Sequence, residues 1–335
     1  MAGLLNVPEG DGSVAYNGPS RNGPRLLPGT AVIAMDRAVQ LRAGDEEIHV
    51  IETDVPEVVE KVLLLLAEGR GPETIGETIS ETIGREHDDL VSALIERLAA
   101  VNLLQQRPDN GSNMVDEDDQ IARYLSHFTG NSPCGRVQRP SGPVSITGHG
   151  GGGELLGRVL GEHGIEARLF AGAELPEDHD AGFRPKAIVC IWEQPDLDMV
   201  FRVNAAACRR RTPCLFVDLS HGRHATLGPF YVPGEGSCYQ CFRQRWRQNT
   251  ETPAEFDAAE SVMLDRGEPL PAYGILPAFR HQVVGMACAE LFAFLSRHRP
   301  LRTLNRVATV DLEGLRIETE PSWEIPWCDA CGADR

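Results

Sequence analysis

The chain has 335 residues with 49 Asp/Glu against 32 Lys/Arg, a formal net charge of -17. That length gives room for two domains with their own cores, and so acidic a surface repels nucleic acid and anionic membrane, leaving peptides or proteins as the expected partners. No secretory signal pattern and no apolar run of membrane-spanning length is legible, and nine cysteines, mostly in apolar or helical contexts, fit a reducing cytoplasm.

Residues 1–23 are rich in Gly, Pro, Asn and Ser and are expected to be disordered. Residues 24–107 read as one small domain. Ala31-Val-Ile-Ala, Ala38-Val-Gln-Leu and Ile48-His-Val-Ile are strand-like runs separated by turn residues. Pro56 opens a helix with Val58, Val59, Val62, Leu63 and Leu66 on one face, ending at Gly69. Pro72 opens a second, carrying Ile75, Ile79 and Ile83. The third, from about His87 to Leu103, sets Leu90, Leu94 and Leu98 beside Val91 and Ile95 at helical spacing. Three short strands and three helices describe a winged-helix-type α+β domain. Its 8 Lys/Arg against 16 Asp/Glu, with Glu86, Asp88, Asp89 and Glu96 on the third helix, are the wrong footprint for DNA. An extended peptide added to the sheet edge suits such a domain better; the plainer alternative is that these elements only fill a core.

Residues 108–142 are polar and acidic, with one short amphipathic piece at 121–128, and read as a linker. Residues 143–335 read as a doubly wound, mostly parallel α/β domain. Val144-Ser-Ile-Thr, a glycine loop and a helix from Glu154 to His163 open it, and Gly148, Gly150 and Gly153 formally satisfy G-x-G-x-x-G. The next strand ends without the acid that a dinucleotide ribose needs, and no basic cluster follows for a triphosphate. The loop is therefore read as vestigial, with no bound cofactor. Asp196 and Asp198 follow Pro195 and read as helix caps rather than magnesium ligands. Ser220-His-Gly-Arg-His is a polar loop at the carboxyl edge of the sheet, and no Ser or Cys stands on a nucleophile elbow, so no catalytic residue is assigned. Cys288 reads as core, and Cys208 as a residue on a solvated helix face.

Cys238 and Cys241 form one C-x-x-C knuckle, and Cys328 and Cys331 a second. Together they offer the four thiolates of a closed structural zinc site, Zn2+ stapling the end of the domain back onto its middle. Read singly, either pair is also a possible redox motif.

The glycine loop, Arg202-Val-Asn-Ala-Ala-Ala-Cys, Gly228-Pro-Phe-Tyr-Val-Pro-Gly-Glu-Gly-Ser-Cys-Tyr-Gln-Cys and the late C-x-x-C resemble the ThiF/MoeB-type activating-enzyme fold. The closer resemblance is to the ocin-ThiF-type proteins of thiazole/oxazole-modified peptide and thiopeptide biosynthesis, which partner YcaO-type cyclodehydratases. The acidic domain at 24–107 is similar to their PqqD-like precursor-recognition element. What the resemblance implies is a scaffold. The leader of a ribosomal precursor would add as a strand between the third strand (Ile48, His49, Val50, Ile51 and Glu52) and the third helix (Leu90, Leu94 and Leu98). The YcaO partner, rather than this chain, would use ATP to turn Cys, Ser or Thr into azolines. The family also implies a possible homodimer, and an adenylating enzyme acting on a carrier-protein C-terminus is the alternative reading.

Overall fold

The computed structural model describes residues 3–6, 24–27, 30–43, 47–83, 87–101, 103–105, 120–126, 138–174, 183–266, 271–272 and 274–332. The chain divides into two units, Met1–Ser132 and Pro133–Arg335.

The first unit holds strands β1 (Gly3–Asn6), β2 (Arg25–Leu26), β3 (Ala31–Met35), β4 (Ala38–Ala43) and β5 (Glu47–Glu52). Helices α1 (Pro56–Ala67), α2 (Pro72–Thr82) and α3 (Asp88–Ala100) follow, then β6 (Leu104–Gln105) and α4 (Gln120–Ser126). Pro56 and Pro72 occupy the first helical turn, where a missing N–H leaves no helical bond unmade. Gly69, in the left-handed region at φ 79°, ends α1, and Arg70 N–H closes back on Leu65 O at 3.0 Å. The apolar faces legible in the sequence converge into one core. Val59, Val62, Leu63 and Leu66 meet Ile75 and Ile79, Leu94 and Leu98, and Val39, Leu41 and Ile51 of the sheet.

The sheet order is β1-β5-β4-β3. Its first member corrects an expectation: Gly3–Asn6, inside the stretch read as disordered, pairs in parallel with His49–Glu52. The physical reason is that β5 is paired with β4 along one side only, and the other side offers unpaired N–H and C=O groups to any extended segment. The other residues of 1–23 lie outside the described residues.

In the second unit β7 (Val144–His149), β8 (Ala167–Ala171), β9 (Ala187–Trp192) and β10 (Cys214–Asp218) run parallel. Strands β11 (His224–Tyr231), β12 (Arg306–Asp311) and β13 (Arg316–Pro321) complete the sheet as antiparallel neighbours. The order is β13-β12-β11-β10-β9-β7-β8, four parallel strands continued by three antiparallel ones. Strand β11 is the element that the sequence hides: Gly228-Pro229 sits inside it, and proline argues against a strand in any sequence reading. Helices α5 (Gly151–Glu162), α6 (Leu197–Arg209), α7 (Tyr239–Asn249), α8 (Pro253–Arg266) and α9 (Pro277–Ser296) belong to this unit. Among the described residues, no helix is long and apolar enough to cross a membrane.

The helix α9 is mostly apolar in its second half but carries a buried acid there. Glu290, its side chain 4% exposed, accepts from Arg299 Nη1 at 2.8 Å, from Arg302 N–H at 2.9 Å, and from Thr303 N–H and Oγ1 at 3.2 and 3.0 Å. These bonds tie the end of α9 to the chain entering β12. Glu290→Gln keeps the shape and removes the charge, so it is expected to cost about 2 kcal/mol, measurable by urea titration.

Candidate functional site

The four knuckle cysteines meet. Cys238 is the N-cap of α7 and Cys241 lies in its first turn, while Cys328 and Cys331 occupy the turns that follow β13. Their sulfurs all lie within 4.8 Å of one another. Cys238 Sγ is 3.7 Å from both Cys241 Sγ and Cys328 Sγ, and Cys241 Sγ is 3.5 Å from Cys331 Sγ. A tetrahedron with metal–sulfur bonds of about 2.3 Å has edges of about 3.8 Å. The set is thus spaced for one tetrahedral ion, and not divided into two separate redox pairs. With sulfur at every corner, no position is open for substrate.

The surroundings are built for thiolates. Asn204 of α6 accepts from Tyr239 N–H at 2.9 Å and donates to Cys238 Sγ at 3.7 Å, while Ile325 N–H donates to Cys241 Sγ at 3.4 Å. Such donors stabilise negative sulfur and orient it. Ser237 N–H donates to Asn305 Oδ1 at 2.9 Å and the Ser237 hydroxyl meets that of Ser322 at 2.8 Å, fixing the first knuckle to the strands that carry the second. A Cβ on Gly332 would lie 2.8 Å from Cys328 O, so the Cys-Asp-Ala-Cys turn needs glycine after it. Hydrogen bonding from Cys238 holds the Cys241 and Cys328 thiols below their ordinary value of 9.0. Cys190 and Cys214 are buried strand residues whose thiols desolvation pushes well up, the inert behaviour expected of them. Cys208 differs from expectation: it is buried, because its face of α6 packs toward the cluster and not toward solvent. Cys134 lies outside the described residues.

The glycine loop joins β7 to α5 as its motif predicts. A Cβ on Gly148, at φ 129°, would lie 1.9 Å from Ile191 O, and one on Gly153 would press on Ile146 at 3.3 Å. Both glycines therefore serve close packing of loop and helix on the sheet. The position an anion would take is already filled. Glu193, immediately after β9, accepts from Gly152 N–H in the first turn of α5 at 2.7 Å. Arg280, one turn into α9, grips the same carboxylate at 2.7 Å through both Nε and Nη2. The helix N-terminus is thus satisfied by a side chain of the protein. A Cβ on Gly150 would lie 2.6 Å from Glu193 Cδ, so this glycine makes way for the acid.

Beside this pair His149, Gly150, Glu193, Gln194, Ala272 and Gly274 line a cavity of about 280 Å³. Asp196 caps α6, accepting from Met199 N–H at 3.0 Å, as expected, and its other oxygen is 3.6 Å from His149 Nε2. At the end of β10, Asp218 accepts from Ser220 N–H and Oγ at 2.9 and 2.6 Å, and sits 3.3 Å from His221 Nε2. The serine hydroxyl serves the carboxylate and not the imidazole, so these three residues are not a nucleophilic triad.

The hydrogen bond to Asp218 raises His221 above its ordinary value of 6.5. The stabilisation from this pair is therefore present in full below pH 6.5 and is lost as pH rises through the higher folded value. An NMR titration of His221 is expected to show a midpoint above 6.5 that Asp218→Asn returns toward 6.5.

The residues expected to hold a peptide divide in two groups. The side chains of Ile51, Leu94 and Leu98 are buried in the core of the first unit, which leaves only the backbone of Ile51 for strand pairing. Strand alternation and helical periodicity turn these positions inward, and sequence spacing alone does not separate core from groove. Ile48, His49, Val50 and Leu90 are half-buried and Glu52 is exposed.

No family model matches the chain, and no curated protein matches it. Solved structures do. A structure titled "Heterocyclase in complex with substrate and Cofactor" superposes with a TM-score of 0.67 at 21% identity, covering 93% of this chain and 40% of that one. The heterocyclase TruD gives 0.68 at 21% identity, covering 93% and 43%. E. coli MccB with MccA-N7isoASN gives 0.59 at 14% identity, covering 92% and 99%. The chain shares their fold. It spans about two fifths of the length of the heterocyclases and nearly all of MccB.

Among the sequence-predicted site residues, the structure unites the four cysteines and places Gly148 at the end of β7, Gly150 at the N-cap of α5 and Gly153 in its first turn. Glu193 and Arg280 escape sequence reasoning. Glu193 carries a usable signal, a lone acid at the carboxyl end of the buried strand β9, where an open α/β sheet presents its ligands. Arg280 carries none, since it is 87 residues away.

Proposed function

We propose that this protein binds the leader of a ribosomally made precursor peptide and presents it to a YcaO-type, ATP-dependent cyclodehydratase for azoline formation from Cys, Ser or Thr. The observation that carries the reading is the likeness of fold to heterocyclases over 93% of this chain. In this reading the YcaO-type partner would supply the azoline chemistry. Residues 24–107 would be the PqqD-like, winged-helix-type recognition domain, taking the leader along the β5 edge through backbone pairing. Residues 143–335 would be the ThiF/MoeB-like platform, and tethering would give the core peptide a high effective concentration at the partner's active site. Zinc is the metal that fits the Cys238, Cys241, Cys328 and Cys331 sulfurs, and it would serve structure alone.

The test is a fluorescence-polarisation titration of the labelled precursor leader against the full chain and against a chain lacking residues 1–107. Micromolar or tighter binding to the first and none to the second is the expected result; equal binding to both would refute the assignment of the site.

A second reading has one observation in its favour, the match to MccB, which has been solved with ATP and aligns over 99% of its length in one complex. Adenylation would need the glycine loop to receive phosphate where Glu193 now sits. The chain is expected to show no ATP–pyrophosphate exchange, and exchange above background would move the assignment to an adenylating enzyme.

A further inference from the structure

Among the described residues of the first unit, the outer edge of β5 already seats an extended segment. Gly3, Leu4, Leu5 and Asn6 pair in register with His49, Val50, Ile51 and Glu52. The opposite side of β5 is fully engaged, with six pairs running from Ala38↔Glu52 to Ala43↔Glu47. A strand has two sides, so β5 has one acceptor side left, and a single backbone can use it at a time.

We propose that Gly3–Asn6 is a built-in occupant of the peptide-acceptor edge, which an incoming leader must displace to bind. This rests on the reading of β5 as the leader site, and adds its regulation. The residues that the segment covers, His49–Glu52, are four of the five that the leader would pair with. At four residues the seated strand is short, so its ladder is weak enough to exchange. Covalent attachment offsets that weakness, because a segment of the same chain meets the edge at a high effective concentration. The acceptor edge is thereby covered against unrelated extended chains, while a leader with a longer or better-matched strand replaces the segment.

The experiment compares the full chain, a chain lacking residues 2–23, and a Leu4→Pro/Leu5→Pro variant. Successive N–H groups of a strand point to opposite sides, so the double substitution removes one donor facing β5 whichever side it lies on. Amide hydrogen exchange is read at His49–Glu52, with β4 amides as the control for an intact fold. If the edge is free in about a tenth of molecules, both alterations are expected to speed exchange of the outward β5 amides about tenfold and to tighten leader binding about tenfold. Unchanged exchange at His49–Glu52, or leader affinity that is the same with and without the segment, would overturn the inference. Faster exchange with leader bound by none of the three proteins would overturn instead the reading of β5 as a leader site.

Discussion

Cys238→Ser and Cys331→Ser are each expected to yield a second unit that does not fold. A structural zinc contributes on the order of 10 kcal/mol to folding, against a total stability of about 5–15 kcal/mol for an ordinary domain. The cluster leaves little scope for compensation. Cys238 caps α7, and the donors from Asn204 and Ile325 are placed for sulfur and would face a smaller, neutral oxygen after substitution. Near-UV circular dichroism and metal analysis of purified protein are the measurements. The full chain should carry one zinc; the two variants should be insoluble or lack fixed tertiary structure. Cys288→Ala, at a buried cysteine of α9 outside the cluster, is the control and should retain the metal. Folded, metal-free Cys331→Ser protein would remove the zinc from the account.

Glu193→Ala is expected to destabilise the second unit by about 3 kcal/mol, near the lower end for breaking a buried ion pair because Arg280 is a quarter exposed. For a unit of this size that lowers the melting temperature by about 10 °C. Two groups lose their partner at once, the Gly152 N–H at the head of α5 and the Arg280 guanidinium. Both are anion binders, so inorganic phosphate or sulfate at high concentration should recover much of the lost melting temperature in this variant and little in the parent chain. Glu193→Gln keeps an oxygen for Gly152 and loses the charge, so its penalty should be smaller. A melting temperature insensitive to Glu193→Ala would mean that the carboxylate does not hold the loop.

The sequence disclosed the elements whose side-chain period is dictated by one buried face. The stripes of α1 and α3 stand where hydrophobic spacing puts them. The four cysteines were legible because their residue type and paired spacing suit so few roles. What escaped notice depends on contacts distant in sequence. The strand β11 contains a proline that local rules reject, yet the ladder to β10 and β12 holds it. Helix α7 starts from a cysteine whose cap geometry the cluster defines, and α8 shows no apolar stripe of its own. The acid in α9 was hidden for the same reason: its charge is neutralised by Arg299, supplied after the helix has ended. Core and groove positions of α3 share one spacing, so Leu94 and Leu98 could not be told from ligand contacts until their burial was known.

The sulfurs of Cys238 and Cys328 are separated by 90 residues of chain. During synthesis the first knuckle emerges from the ribosome with half a coordination shell, and the strands β12 and β13 must follow before the other half exists. Metal capture in this unit therefore certifies that translation has passed residue 331. A product truncated anywhere between the knuckles keeps the glycine loop and most of the sheet but cannot close the cluster. Such fragments would be exposed to proteases as incomplete, and a full second unit would be distinguished from an abortive one by the turn that carries Cys331.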